Sequence, residues 1–329
     1  MLGSESGALG MTTKQSIRKQ ETMTHHLVVG AGPVGRHVAE LLTARGDRVT
    51  VVSRSGRSTG IAGVEHLALD ASDADALSRA AEGAAVLHNC ANPGDYTQWE
   101  RTWPPLAAAL LTAAERTGAI YAITGNLYPY GPVDGPMHEG LPDAATDRKG
   151  VLRATLWADA LAAHDAGRVR VVEVRASDYL GPGIGANGHV TRVLPAAQRG
   201  RAVSMVGRTD LPHTFTDVLD VARTLVAAAE DQGAHGRTWM VPSNAPRTQR
   251  QALTDVLAAA GKPAVPVHRM PAALFRVGGL VSPMMRELAD LTYQWTAPYV
   301  VDDRESRTRF GIEPTPWDEV CRRTAAGAA

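Results

Sequence analysis

Lysine is nearly absent from this chain of 329 residues. Of its 34 basic residues only four are lysine (Lys14, Lys19, Lys149 and Lys262), and two of these fall in the first 22 positions. Cysteine is scarcer still. Cys90 and Cys321 stand far apart with no metal-like spacing, which excludes a disulfide framework and fits a reducing cytoplasm. An excess of one charge is also missing, with 34 basic against 34 acidic residues, so neither nucleic acid nor an anionic membrane surface is expected as a partner. No apolar run approaches the roughly 20 residues that cross a bilayer. There is no internal repeat, no low-complexity linker, and no His/Cys/carboxylate cluster that suggests a metal. Residues 1–24 lack the apolar core of a signal peptide and are expected to form a disordered extension.

What the chain does contain is an alternation. The stretch HLVVGAGPVGRHVAELL (residues 26–42) sets Gly30, Gly32 and Gly35 in a G-x-G-x-x-G spacing, between a short apolar run and a helix-like pattern. In such a turn the first glycine permits the tight bend, the second lets the backbone approach a pyrophosphate, and the third lets helix pack on strand. The N–H groups opening the helix, around Pro33 and Val34, then face the phosphates with the helix dipole behind them. Glycine-rich turns also occur with no ligand, but this one follows a strand and heads a β/α alternation. Strand-like segments at 48–54, 63–70, 84–91, 119–124 and 168–175 alternate with helix-like ones. One helix is expected to start after Pro104–Pro105, and another to run through DRKGVLRATLWADALAAHDAG to Gly167. Short apolar runs separated by helices imply a buried parallel sheet with right-handed crossovers. The expected class is α/β: a doubly wound Rossmann domain over residues 25–180, and a smaller mixed lobe over 181–329, partly interwoven with it and covering the cofactor cleft.

The end of the second strand bears on which nucleotide is held. An NAD-preferring fold places an acidic residue there for the ribose 2′-hydroxyl, whereas this chain reads Val52-Ser53-Arg54-Ser55-Gly56-Arg57. Ser53 and Arg54, assisted by Arg57, suit a 2′-phosphate, so NADP(H) is expected over NAD(H). The alternative reading of Arg54 is a solvated loop arginine. Asp70, closing the third strand, either stands near the adenine or caps the next helix. Ala91, in HNCAN after the fourth strand, completes the expected cofactor set.

The glycine loop, HNCAN, TGNLYPYGP after the fifth strand, RASDYLGPG after the sixth and HTFTDVLDVARTL together resemble the extended short-chain dehydrogenase/reductases, the NAD(P)-dependent epimerase/dehydratase group, over roughly residues 26–322. The resemblance implies a Ser or Thr on the fifth-strand loop and a Tyr-x-x-x-Lys pair on the next helix. There the tyrosine gives a proton to the carbonyl oxygen and the lysine holds the nicotinamide ribose. Two departures stand out. The group's G-x-x-G-x-x-G needs glycine where this chain has Val29. Counting back from Lys149, the tyrosine position falls on Ala145; counting back from Tyr130-Gly131, the serine position falls on Asn126, with Thr124 two residues earlier. In a chain that otherwise uses arginine, Lys149 is expected at the ribose, the alternative being a solvated helix lysine.

Candidates for the missing proton donor are Tyr128 and Tyr130 on the fifth-strand loop and Tyr179 on the sixth, where ligands sit in open α/β sheets. Each can equally be packed core. Asn126 is expected to hold a carbonyl or alkoxide oxygen. Asp178 and His189 are further acid–base or substrate-binding candidates. Asp95, Tyr96 and Trp99, with Trp103, form an expected substrate wall, unless the two tryptophans at helical spacing are simply core; His213 can be read either way. The expected activity is NADP(H)-dependent reduction or oxidation of a carbonyl in a small organic substrate, with Lys149, Asn126, and Tyr128 or Tyr179 as the machinery. A redox-neutral isomerisation, epimerisation, dehydration or cyclisation, and a non-catalytic NADP(H) sensor, stay open. The resemblance also implies a homodimer, through helices that include VLRATLWADALAA.

Overall fold

Residues 25–53 set the pattern for the whole sheet. The run His25–Val29 (β1) is buried and short, so it ends at Gly30; the helix Pro33–Ala44 (α1) then returns over the sheet to Arg48–Ser53 (β2). The computed structural model describes residues 23–327, so the extension expected over residues 1–24 lies outside the described residues up to position 22. The alternation continues through Val64–Ala68 (β3), Ala74–Ala80 (α2), Val86–Asn89 (β4), Trp99–Thr117 (α3), Ile120–Asn126 (β5), Arg148–Asp165 (α4) and Val171–Ala176 (β6). The chain then leaves the sheet through Asp178–Leu180 (β7), Leu194–Gln198 (α5), Val203–Val206 (β8) and Phe215–Asp217 (β9). It comes back by Val218–Glu230 (α6) and Thr238–Met240 (β10), the latter adding an edge strand beside β6. The remaining elements are Gln249–Ala259 (α7), Val267–Met270 (β11), Ala273–Gly278 (α8), Pro283–Asp290 (α9), Arg304–Phe310 (α10) and Trp317–Ala326 (α11).

The seven-stranded sheet has the order β10-β6-β5-β4-β1-β2-β3, and its paired strands are all parallel. The order reverses at β1, which lies between β2 and β4. In an open α/β sheet that reversal leaves a crevice at the carboxyl ends. Register sharpens the point: Val29 is level with both Val52 and Asn89, so the glycine loop, Ser53 and Cys90 emerge at one edge. On one face α1 and α6 bury Val38, Leu42, Val221 and Leu225; on the other α2, α3 and α4 bury Leu77, Leu110, Ala113 and Trp157. Each fully buried Val or Leu contributes about 1.5–3 kcal/mol. No helix among the described residues is long and apolar enough to cross a membrane.

Two helix starts matter for the site, and the first differs from expectation. α3 begins at Trp99 and carries Pro104 and Pro105 inside it. An interior proline costs about 3 kcal/mol, but burying an indole of ~200 Å² returns about 5 kcal/mol. Trp99 and Trp103 are both 2% exposed. α4 begins at Arg148 because the Asp147 side chain caps it, accepting from Gly150 N at 2.8 Å. Ala145 therefore lies outside the helix, its methyl where a side chain on Gly150 would stand.

Candidate active site

One cleft of about 1210 Å³ runs along the carboxyl ends of β1, β4, β5 and β6. Its first end is made of backbone. Gly30 has φ +109°, and a side chain there would fall 2.6 Å from the Cys90 carbonyl oxygen. A Cβ on Gly32 would meet no protein atom within 4 Å, so that stretch of backbone is open to a ligand. α1 starts with Pro33 and has no side-chain cap, which leaves its first N–H groups for an anion. Val34, Ser53, Arg54, Asp70 and Ala91 line the same end. Ser53 Oγ accepts from Gly56 N at 3.1 Å, and Ala91 N donates to Asn89 Oδ1 at 3.2 Å. Hydrogen bonds from the Ser72 amide and hydroxyl hold the Asp70 carboxyl below its usual range. Gly35 does not line the cleft. Its role is packing, since a methyl there would lie 1.9 Å from the Gly30 carbonyl oxygen.

The middle of the cleft carries Asn126, Tyr179 and a buried arginine. Asn126 Oδ1 accepts from Tyr128 N at 3.1 Å, which ties down the oxygen and leaves the amide N–H groups for a ligand. Burial pushes the Tyr179 phenol up, and the Arg153 charge opposes that rise. Burial likewise pushes the Cys90 thiol up to about 12, so it stays protonated at neutral pH. The far end is made of rings. The Tyr96 and Tyr128 hydroxyls lie 3.0 Å apart, Tyr96 stacks on Trp99 at 4.5 Å, and Trp103 meets Trp99 edge-on at 6.0 Å. Asp95 stands at the rim, where its side chain caps the turn at 96–98. Asp178 Oδ2 accepts from Trp295 Nε1 at 3.3 Å and lies 2.7 Å from His213 Nε2. Burial opposes ionisation of Asp178, yet its contact with the His213 ring holds its carboxyl below the usual range. His189 stacks on Trp295 at 4.5 Å and bonds Gln249; burial pulls it down to about 4, so at neutral pH it is uncharged.

Three expectations fail against this geometry. Ala145 is not on the helix, so it cannot stand where a helical tyrosine would. Lys149 does not line the cleft: it is buried 5.5 Å from the centre of the Tyr96 ring, and its ammonium pairs with Glu287 of α9. Tyr130 does not line it either; it is 1% exposed, with the Arg175 guanidinium 4.7 Å over its ring. A helix that starts at the Asp147 cap turns residue 153, rather than 149, into the cleft. Arg153 is 4% exposed, donates from Nη2 to the Thr124 carbonyl oxygen at 3.0 Å, and lies 4.4 Å over the Trp103 ring. Its Nε has no hydrogen-bond partner among the described residues.

Arg153 was within reach of the sequence, being four residues beyond Lys149 in the same helical pattern. Trp295, Tyr299, Met284 and Leu288 also line the cleft but come from the far end of the chain, with no local signal. Among the described residues no cluster of His, Cys, Asp and Glu could hold a metal ion.

Against known proteins, residues 26–241 match the model of the NAD dependent epimerase/dehydratase family. No curated protein sequence matches the chain. Among solved structures, the fold is similar to UDP-glucose 4-epimerase of Thermotoga maritima with UDP-glucose, at 18% identity and TM-score 0.75, covering 92% of this chain and 98% of that one. It is similar to UDP-glucose 4-epimerase of Thermus thermophilus in complex with NAD, at 18% identity and TM-score 0.74, covering 93% and 99%. It is also similar to dTDP-glucose 4,6-dehydratase of Bacillus anthracis in complex with NAD, at 14% identity and TM-score 0.75, covering 92% and 96%.

Proposed function

The chain belongs to the NAD-dependent epimerase/dehydratase family, and from that premise we propose an NADP(H)-dependent oxidoreductase acting on the carbonyl or alcohol of a small organic substrate. The observation that carries this reading is the continuity of the cleft, from the open backbone of Gly32 to the rings around Asp178. The residues present fit the dinucleotide. The uncapped start of α1 would hold the pyrophosphate and the Ser53–Arg54 corner the 2′-phosphate. The unpartnered Nε of Arg153 supports this residue, in place of Lys149, as the group that holds the nicotinamide ribose.

When bound, the nicotinamide would supply or accept a hydride. The chain's own part is to orient the substrate and manage a proton. Asn126 would donate from its amide to the carbonyl oxygen. Tyr179 is preferred over Tyr128 as proton donor. The Arg153 charge favours its phenolate, whereas the hydroxyl of Tyr128 is engaged by Tyr96, and both burial and that neighbour push it up.

The test is titration of the purified protein with NADPH and NADH, comparing wild type with Arg54→Asp. NADPH should bind at least tenfold tighter than NADH, and Arg54→Asp should abolish the difference. Equal affinities would overturn the NADP(H) preference, and binding of neither nucleotide would overturn the whole reading. A redox-neutral reaction is the second reading. It is favoured by the family match, since epimerisation and dehydration both leave the nucleotide with no net redox change. Product formation with no net change in NADPH absorbance would decide for it.

A further inference from the structure

The outer end of the cleft is walled by aromatic rings and carries the carboxylate of Asp178. We propose that its substrate is a flat aromatic carbonyl compound carrying a hydrogen-bond donor, a hydroxyl or an amino group, away from the carbonyl, and not a nucleotide-linked sugar. The inference rests on the dinucleotide reading only for which end of the substrate reacts. The walls are the rings of Tyr96, Tyr128, Trp295 and Tyr299, and α9 lays Met284 and Leu288 over them. Such a slot matches a planar apolar ligand through ring contacts.

Asp178 is set among these rings. Its Oδ2 takes the Trp295 N–H and sits beside His213, while Oδ1 receives no hydrogen bond from the described residues. A carboxylate with a free oxygen on a ring-lined wall favours a ligand O–H or N–H and repels a diphosphate. Three arginines besides Arg54 also line the cleft. Arg101 and Arg192 are exposed, so their pull on a phosphate is screened by solvent, and Arg153, although its Nε is unpartnered, donates from Nη2 to Thr124 and lies 3.8 Å from Glu173.

The experiment titrates the full chain calorimetrically with naphthaldehyde, hydroxynaphthaldehyde and UDP-glucose, each with and without saturating NADPH. Hydroxynaphthaldehyde should bind about tenfold tighter than naphthaldehyde, as a hydrogen bond to a carboxylate requires, with UDP-glucose weakest. Asp178→Asn should erase the advantage of the hydroxyl, and Leu288→Glu should weaken both aldehydes at least tenfold. Unchanged NADPH affinity in both variants shows that they are folded. UDP-glucose binding tighter than either aldehyde overturns the proposal, and so does a hydroxyl preference that survives Asp178→Asn. The titrations without nucleotide stand alone, so loss of NADPH binding with the aldehyde pattern intact would sink the dinucleotide reading and leave this one in place.

Discussion

The two ends of the cleft are held by different physics. At the cofactor end the parts are backbone and small residues, joined by sheet register and by helix–strand contacts too close to admit a methyl group. At the substrate end, elements far apart in the chain meet through rings and ion pairs: Lys149 and Arg148 both reach Glu287 of α9, and Arg148 also lies 3.7 Å from Asp290. Beyond that junction Leu280 and Val281 are 80% and 87% exposed, so α8 and α9 bury little on their outer side. Close packing is intolerant of change and spreads its effects through the core, whereas salt-bridged surface elements open locally. Damage at the first end should therefore appear in the stability of the whole fold, and damage at the second in local opening alone.

The hardest test of that contrast is Gly35→Ala. The added methyl would fall 1.9 Å from the Gly30 carbonyl oxygen, so α1 must move away from the turn that follows β1. Overpacking of this kind costs about 1–3 kcal/mol, and more where backbone is displaced. Thermal unfolding should drop by about 5 °C or more, and nucleotide binding should be lost with it. An unchanged midpoint would mean that the cofactor end is as adaptable as the other.

A comparable effect is expected from acid. His26 of β1 and His88 of β4 lie back to back in the sheet, Nδ1 to Nε2 at 3.1 Å, both nearly inaccessible. Burial pulls His26 down to about 4, against the raising charge of Asp47, and holds His88 well below the usual 6.5. Both titrate near 6.5 once unfolded, so the folded state favours the neutral forms. The stability they allow is complete above about pH 6.5 and is lost as pH falls toward 4; His26 alone accounts for about 3 kcal/mol of that loss. Urea unfolding at several pH values should show this slope, and His26→Asn should flatten it. A slope that survives the substitution would place the acid sensitivity elsewhere.

The same contrast explains what could be read from the sequence. Gly30, Gly32, Gly35, Ser53 and Arg54 act through spacing along one βαβ unit, and their places on the fold followed from the pattern. The place of the α4 lysine did not. It depends on Asp147 capping the helix, so that Lys149 and Arg153, rather than residue 145 and Lys149, carry the i,i+4 spacing on it. Tyr128 and Tyr130 share one turn, yet only tertiary packing decides that the first faces the cleft and the second lies under Arg175. The contributions of Met284, Leu288, Trp295 and Tyr299 are long-range, and no local period announces them.

The finest test is at the junction itself. Arg148 is 47% exposed and bonds Glu287 at 2.7 Å, so its link to α9 is a solvent-screened one, worth at most about 1 kcal/mol. Arg148→Gln should leave the thermal midpoint within about 1 °C, while amide exchange across Pro283–Asp290 quickens about three- to fivefold and exchange in β1 stays fixed. Added salt should quicken the same amides in the wild type and do little more in the variant, because it screens the contact that the substitution removes. Equal acceleration in β1 would show that the two ends unfold as one unit, and the division between a packed end and a salt-bridged end would fall.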